Sequence, residues 1–221
     1  MTAHVIPKPA ASVIPVREHE GRAEVLLVKR NAAIAFLGDT WVFPGGKIDP
    51  VDQAGSEDLT ARRAAARELE EETNLSIEAS ALLPFSHWTT PLGGQHRYAT
   101  WFYLGLPPEP GSLRVDGSEI VDACWDSAES LLSRQAQGEL RLSAPAFVSL
   151  QALCDWPVDA LTSANAFLPE YIRFRPRLVK VDGGQCALYE GDAGYEGQCV
   201  DTPGPRHRLW MITQGWRYER G

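Results

Sequence analysis

The feature that most constrains this chain is a strong helix that follows a proline–diglycine turn after a polar segment at residues 47–56. Residues 57–73 are rich in Ala, Leu, Glu and Arg, which favour a helix, and the acidic residues in the first turn suit the helix dipole. Ser56 is the expected N-cap, although Leu59 stands where a capping box would place Glu. Upstream, residues 41–43 are predicted to form a short strand that ends at Pro44-Gly45-Gly46. Paired glycines let the backbone approach a ligand closely, so this order predicts an α/β unit with a ligand-facing loop.

The helix carries the run Arg67-Glu68-Leu69-Glu70-Glu71-Glu72. Successive helical residues are rotated by about 100°, so Glu68, Glu71 and Glu72 fall within an arc of roughly 100°, and Glu70 points towards solvent. Arg67 lies one turn before Glu71 and is placed to pair with it. Three carboxylates on one face repel each other unless a cation lies among them, and hard oxygen ligands select Mg²⁺, Mn²⁺ or Ca²⁺. Acidic clusters are also common on solvated helix faces; here the Gly-Gly turn favours a metal site.

Composition excludes several other classes of protein. The 29 acidic and 21 basic residues give a formal net charge of −8, which provides no basic face for nucleic acid. No apolar run reaches the roughly 20 residues of a membrane span and no signal-peptide core is present, so we expect a cytoplasmic protein without membrane contact. The four cysteines have no metal-binding spacing, as is typical of reduced thiols, and a pairing of Cys186 with Cys199 stays open.

The remaining elements are predicted from alternation and turn residues. A hairpin is expected from residues 10–17 and 23–30, and Pro15 in its first strand indicates an edge strand or a bulge. Further strands are expected at 80–90, 95–106 and 119–125, helices at 127–137 and 144–155, and tail strands at 177–181, 186–189 and 207–217. We place a domain boundary at 156–157, so that residues 1–156 form the main domain and 157–221 a β-rich extension for packing or dimerisation.

Together these residues resemble the Nudix box, G-x5-E-x7-R-E-U-x-E-E-x-G-U, in which U is aliphatic. Gly46 takes the opening glycine, and the register holds from Arg67 to Glu72 and again at Leu75. Between Gly46 and Arg67 the box has 5 + 1 + 7 = 13 residues, whereas this chain has 67 − 46 − 1 = 20, an insertion of seven. The first box glutamate is therefore open: Glu57 or Asp58 is nearest and Leu59 holds the strict register. Asn74 replaces the late glycine, and Asn tolerates the left-handed conformation at a helix end.

The resemblance implies a fold and a chemistry. The fold is the Nudix α/β/α sandwich with a mixed sheet, followed here by the small C-terminal β-rich extension. Glu68, Glu71, Glu72 and the backbone at Gly46 would bind the catalytic Mg²⁺ or Mn²⁺, with Arg67 holding Glu71. Glu119 looks like the additional acidic residue that many members carry, as a ligand or general base. The activity implied is hydrolysis of a diphosphate linkage in a nucleotide-containing small molecule, by a homodimer.

The substrate is predicted more narrowly from similarity to the coenzyme A diphosphatase branch with a lengthened box, over residues 24–30, 42–50, 87–91, 97–102 and 140–145. Coenzyme A or an acyl derivative is therefore the first substrate class, followed by an NDP-sugar, ADP-ribose or a dinucleotide. Arg30, Lys47 and Arg97 are candidate phosphate contacts and Phe43 a candidate base contact, although each type is also common in ion pairs or cores. A Nudix-fold binding module without hydrolysis is the alternative from another class.

Overall fold

The computed structural model describes residues 5–93, 96–108, 112–157, 159, 161 and 171–221. Its strands are β1 (Lys8–His19), β2 (Arg22–Arg30), β3 (Trp41–Val42), β4 (Gly45–Lys47), β5 (Leu83–Thr89), β6 (Tyr98–Gly105), β7 (Ile120–Asp126), β8 (Ile172–Phe174), β9 (Arg177–Val181), β10 (Gly184–Leu188), β11 (His207–Ile212) and β12 (Gly215–Arg220). The helices are α1 (Glu57–Thr73), α2 (Ala128–Ala136) and α3 (Ala144–Cys154).

The ends of α1 follow from local capping. Ser56 accepts a hydrogen bond from the Leu59 N–H at 3.2 Å, which confirms the predicted N-cap. Asn74 adopts the left-handed conformation with φ of 60°, and its N–H donates to the Glu70 carbonyl. The helices α2 and α3 also begin at serine caps, Ser127 and Ser143. In each of the three helices, the serine N-cap thus accepts a hydrogen bond from a backbone N–H of the first turn, and this contact fixes where the helix begins.

The larger sheet is mixed and has the strand order β3-β2-β1-β6-β5-β8, with β4 pairing with β1 and β7 pairing with β2. Pro15 was predicted to mark an edge strand or a bulge. The edge strand is wrong, because β1 lies in the sheet interior, and the pairing of β1 with β6 runs through Pro15 without a register shift. The same side of β1 pairs with β4 as far as Ser12 and with β2 from Val16. The Val13 N–H donates to Pro44 on that side, and backbone directions alternate along a strand, so Pro15 falls in the gap between the two partners. Because proline has no N–H, no backbone donor of β1 is left unpaired in this gap.

Two hydrophobic cores lie on opposite faces of this sheet. Val13 and Tyr103 pack with Ala61, Ala65 and other apolar residues of α1 on one face. The alternate residues of β1, such as Ile14, pack with α2 and α3 on the other face. This arrangement confirms the predicted α/β/α sandwich with a mixed sheet.

The C-terminal part contains a second, four-stranded sheet of order β12-β11-β10-β9. The predicted single strand at 207–217 is wrong: a turn at Thr213-Gln214 divides it into β11 and β12. The strand β8 was not predicted; it adds to the main sheet beside β5, and Phe174 on it stacks on Trp88 at 4.0 Å between ring centroids. The boundary at 156–157 stays a prediction.

All four cysteines are free, with Cys186 buried in β10 and Cys199 exposed. The disulfide between Cys186 and Cys199 that the sequence left open is therefore not formed. Of the helices described, none combines the length and apolar character needed to cross a membrane.

Candidate active site

Arg67 is the centre of the polar network on α1. Its Nη1 donates to Glu68 Oε1 at 2.9 Å and to Glu71 Oε2 at 2.8 Å. Its Nε donates to Asp52 Oδ1 and its Nη2 to Asp52 Oδ2, each at 2.9 Å, and Nη2 also donates to the Lys47 carbonyl. One guanidinium thus joins the box loop to two of the three carboxylates that are predicted to bind metal. The predicted Arg67–Glu71 contact is present.

Asp52 takes the position of the first box acid, and sequence reasoning missed it. The residue is buried, and burial alone would raise the pKa of its carboxyl; the hydrogen bonds from Arg67 and from the Asp49 N–H outweigh burial and hold that pKa below its usual value. Counting forwards from Gly46 leaves 52 − 46 − 1 = 5 residues, which matches G-x5-E with Asp for Glu. The candidates Glu57 and Asp58 lie near Leu59, the strict register relative to Arg67, which the insertion separates from the first box acid. Asp58 instead pairs with Arg62.

Glu72 and Glu68 lie against the diglycine turn. The Gly45 N–H donates to Glu72 Oε2 at 2.9 Å, and the Glu72 side chain is buried. Burial raises the pKa of Glu72 to about 8; the Gly45 N–H lowers it and the neighbouring Glu68 raises it. A Cβ at Gly46 would lie 2.5 Å from the Glu68 carboxylate carbon, so the missing side chain gives Glu68 its place.

Glu71 is the exposed member of the set, with 58% of its side chain accessible and Arg67 as its ion-pair partner. The three carboxylates therefore range from buried to open along the helix face that the 100° rotation predicted.

Glu119 approaches this group from the loop before β7. It raises the pKa of both Glu68 and Glu72 by its charge, although burial is the larger cause at each. The loop is held by Asp116, which accepts hydrogen bonds from the N–H groups of residues 118, 119 and 120. The sheet thus places Glu119, which the resemblance suggests as the additional acid, near Glu68 and Glu72; its role as a ligand or general base stays a prediction.

Arg30, at the end of β2, faces Glu119 with 4.0 Å between Nη2 and Oε2. Its Nε is buried, and no described residue accepts a hydrogen bond from it. Arg30 is thus the predicted phosphate contact that the structure places beside the carboxylates.

The other predicted substrate contacts are distributed differently. Lys47 is exposed on β4, next to Gly46. Phe43 is buried in the core, edge-on to Phe102, so its side chain has no free face for a base. Arg97 is also buried and donates to the carbonyls of Val5 and Thr90, which corrects its assignment as a phosphate contact: its guanidinium joins the N-terminal segment to the sheet.

The residues fit a divalent cation. Glu72 is a buried carboxylate whose hydrogen bond comes from the neutral Gly45 N–H, and it has like-charged Glu68 and Glu119 nearby. No cationic side chain in the described part of the chain forms an ion pair with Glu72, so a bound divalent cation would supply positive charge at this buried carboxylate. Among the residues described, no three acidic, His or Cys side chains already converge on one point, since Arg67 holds Glu68 and Glu71.

Comparison with known proteins agrees with this geometry. A family model described as the NUDIX domain matches residues 6–147, which is 142 of the 221 residues. A Caenorhabditis elegans protein provisionally named nudix hydrolase 7 is 25% identical over 185 residues, covering 66% of this chain and 61% of its own length. The chain thus spans about three fifths of that relative.

Solved structures share the fold. A NUDIX hydrolase from Alicyclobacillus acidocaldarius superimposes with a TM-score of 0.64 at 23% identity, covering 72% of this chain and 96% of the other. The NUDIX domain of Shewanella oneidensis NrtR, in a cocrystal with ADP ribose, gives 0.53 at 16% identity over 68% and 88%. A MutT NUDIX hydrolase from Burkholderia pseudomallei gives 0.51 at 21% identity over 66% and 98%. The family model, which covers well over half of the chain, establishes that this protein belongs to the NUDIX family.

Proposed function

We propose that this chain is a divalent-cation-dependent hydrolase that cleaves a diphosphate linkage in a nucleotide-containing metabolite. The observation that carries the proposal is the buried Glu72 carboxylate against the Gly45 N–H, with Glu68 and Glu119 beside it. A folded protein keeps like charges together at a cost, and a cation that binds a diphosphate offsets that cost.

Each residue has a separate task in this proposal. Glu68, Glu71 and Glu72 would hold Mg²⁺ or Mn²⁺, which when bound neutralises phosphate charge and activates a water. Arg67 positions Glu68 and Glu71 through its shared Nη1. Glu119, two thirds exposed, accepts a proton or adds a ligand, and the Arg30 guanidinium, with Nη2 4.0 Å from Glu119, binds a phosphate oxygen.

Coenzyme A or an acyl derivative is the substrate class that we propose first, because the segments outside the box resemble that branch. ADP-ribose, an NDP-sugar or a dinucleotide is second. The NrtR domain was crystallised with ADP ribose, so this compound belongs in any panel. We also propose a homodimer, which sedimentation velocity checks directly.

The test is a phosphate-release assay with Mg²⁺ or Mn²⁺ and a phosphatase coupled to the product. The panel holds coenzyme A, acetyl-coenzyme A, ADP-ribose, NADH and UDP-glucose. We expect turnover of the coenzyme A compounds by the native protein. Glu71→Gln and Glu72→Gln should abolish it and keep the fold, whereas Glu70→Gln, at the exposed neighbouring position, should retain it.

The outcomes separate the parts of the proposal. Turnover of another compound alone keeps the chemistry and discards coenzyme A. Native turnover in both Glu71→Gln and Glu72→Gln refutes the metal site. No turnover with either metal, together with no Mg²⁺ binding that depends on Glu71 and Glu72, indicates a binding module instead.

A further inference from the structure

A groove of about 470 Å³ lies at the amino end of α1, away from the carboxylates. Ile48 and Ala54 of the box loop form one wall, and Glu57 lies at the first turn of α1. The sheet forms the other wall, through Ala99 and Trp101 of β6 and His87 of β5. None of the residues assigned to catalysis lines this groove.

Aromatic rings give the sheet wall a fixed shape. Trp101 packs edge-on against His87 with 4.7 Å between ring centroids, and against Tyr171 with 4.8 Å. The Trp101 ring is partly exposed, so one part of it is held and another part faces the groove. Such a surface suits an apolar or amide-containing ligand group.

The groove carries little charge. Among the described residues that line it, Glu57 is the one with a carboxylate side chain, and none is Lys or Arg. Burial lowers the pKa of His87, and Arg173 and Arg175 lower it further, which favours the neutral form of its imidazole. A lining with one carboxylate and no cation disfavours a phosphate and favours an uncharged chain.

The groove and the catalytic group lie along the same helix, α1. Thr60, which lines the groove, lies on the same helix face as Arg67 and Glu71, because seven residues turn through about 700° and eleven through about 1100°. At 1.5 Å per residue, Thr60 is about 12 Å from Glu68 and about 16 Å from Glu71 along the axis. Three bonds of an extended chain span about 3.6 Å, so a chain of about 10–13 bonds covers this distance.

The box insertion builds the loop wall. With Asp52 as the first box acid, 67 − 52 − 1 = 14 residues precede Arg67, seven more than the x7 of the box. Gln53, Ala54, Ser56 and Glu57 all lie in this lengthened part, and all line the groove. The lengthening therefore adds a binding surface and leaves the Arg67 network intact.

We infer that this groove holds the uncharged arm of the substrate, a flexible and partly apolar chain such as the acyl-pantetheine arm of an acyl-coenzyme A. The diphosphate then lies at the carboxylates, and the phosphorylated nucleoside lies outside the groove. This inference rests on the proposed function and adds to it the place where the acyl arm binds.

The first test uses the arm alone, S-octanoyl-pantetheine, without metal. The Trp101 indole N–H signal, assigned by its loss in Trp101→Phe, is followed by NMR during titration. We expect it to shift, and we expect Ala99→Leu and Ala54→Leu each to weaken binding at least about tenfold, because leucine fills the space that the chain would occupy. Ala136→Leu, an equal enlargement at an exposed position of α2, should bind like the native protein.

The second test compares kcat/KM for octanoyl-coenzyme A and coenzyme A. Their ratio should fall about tenfold in Ala99→Leu and stay unchanged in Ala136→Leu. An unshifted Trp101 signal, or native affinity in both groove variants, overturns the inference. Binding of the arm without turnover of any coenzyme A compound supports the groove as an acyl-arm site and overturns only the proposed reaction.

Discussion

Replacing Asp52 by Asn tests whether Asp52 serves as the first acid of the box and positions Arg67 through its two hydrogen bonds. The change removes the charge from a side chain that is 3% exposed and that accepts three hydrogen bonds, two from Arg67 and one from the Asp49 N–H. Asn retains one acceptor oxygen and turns an NH₂ group towards the Arg67 guanidinium. Arg67 would keep Glu68 and Glu71 as partners.

The magnitude follows from this geometry. Hydrogen bonds to charged groups contribute about 1.5–3 kcal/mol, and breaking a fully buried ion pair costs about 3–5 kcal/mol. Arg67 is 21% exposed and keeps two other carboxylates, so the lower part of this range applies, about 2–3 kcal/mol. For a chain of this length, 1 kcal/mol corresponds to about 2–4 °C, so Tm should fall by about 4–12 °C.

Thermal melts and the phosphate-release assay measure the two consequences. Asp58→Asn is the matched control, because the Asp58 side chain is 50% exposed and its ion pair with Arg62 should contribute about 0–1 kcal/mol. We expect Asp52→Asn to lose turnover as well as stability, since Glu68 and Glu71 then follow an unanchored Arg67. Equal melts and equal turnover for the two variants would refute the assignment of Asp52 as the box acid.

Three other predictions concern the diglycine turn and the C-terminal sheet. Gly46→Ala should reduce turnover with little change in Tm, because the added Cβ clashes with the Glu68 carboxylate, which can move. Gly45→Ala should instead lower Tm, because its Cβ would lie 2.5–2.6 Å from the β1 backbone and φ is +154°. Asp192→Asn should lower the free energy of unfolding by about 3 kcal/mol in urea melts, since Arg208 and Asp192 are 1% and 0% exposed; a smaller loss than for Asp58→Asn would contradict it. Burial lowers the pKa of His207 in the folded state, so the unfolded state binds the proton more readily and native stability should decrease as pH falls through about 6.5. His207→Gln should flatten that dependence, and an unchanged pH profile would count against it.

Local physics explains which features were predictable. The bounds of α1 depend on Ser56 and Asn74, whose capping contacts reach only three or four residues. The common face of Glu68, Glu71 and Glu72 follows from the helical repeat, and the box residues identify the family. Elements whose pairing partners are distant in sequence were harder to predict: β4 and β8 are three residues long and exist because β1 and β5 offer backbone groups to pair with.

The features of the site likewise separate into those that the sequence determines and those that the tertiary structure determines. Sequence alone determined the helix, the turn and the order of the carboxylates, because each depends on neighbouring residues. Tertiary structure decided that Asp52 binds Arg67 across 15 positions, that Glu119 meets Arg30, and that Phe43 and Arg97 are buried. These contacts depend on how strands pair and loops pack. The same residue type can occupy a buried or an exposed position, so residue type alone does not reveal its contacts. Burial and long-range pairing are properties of the folded chain, which is why only the structure could assign them.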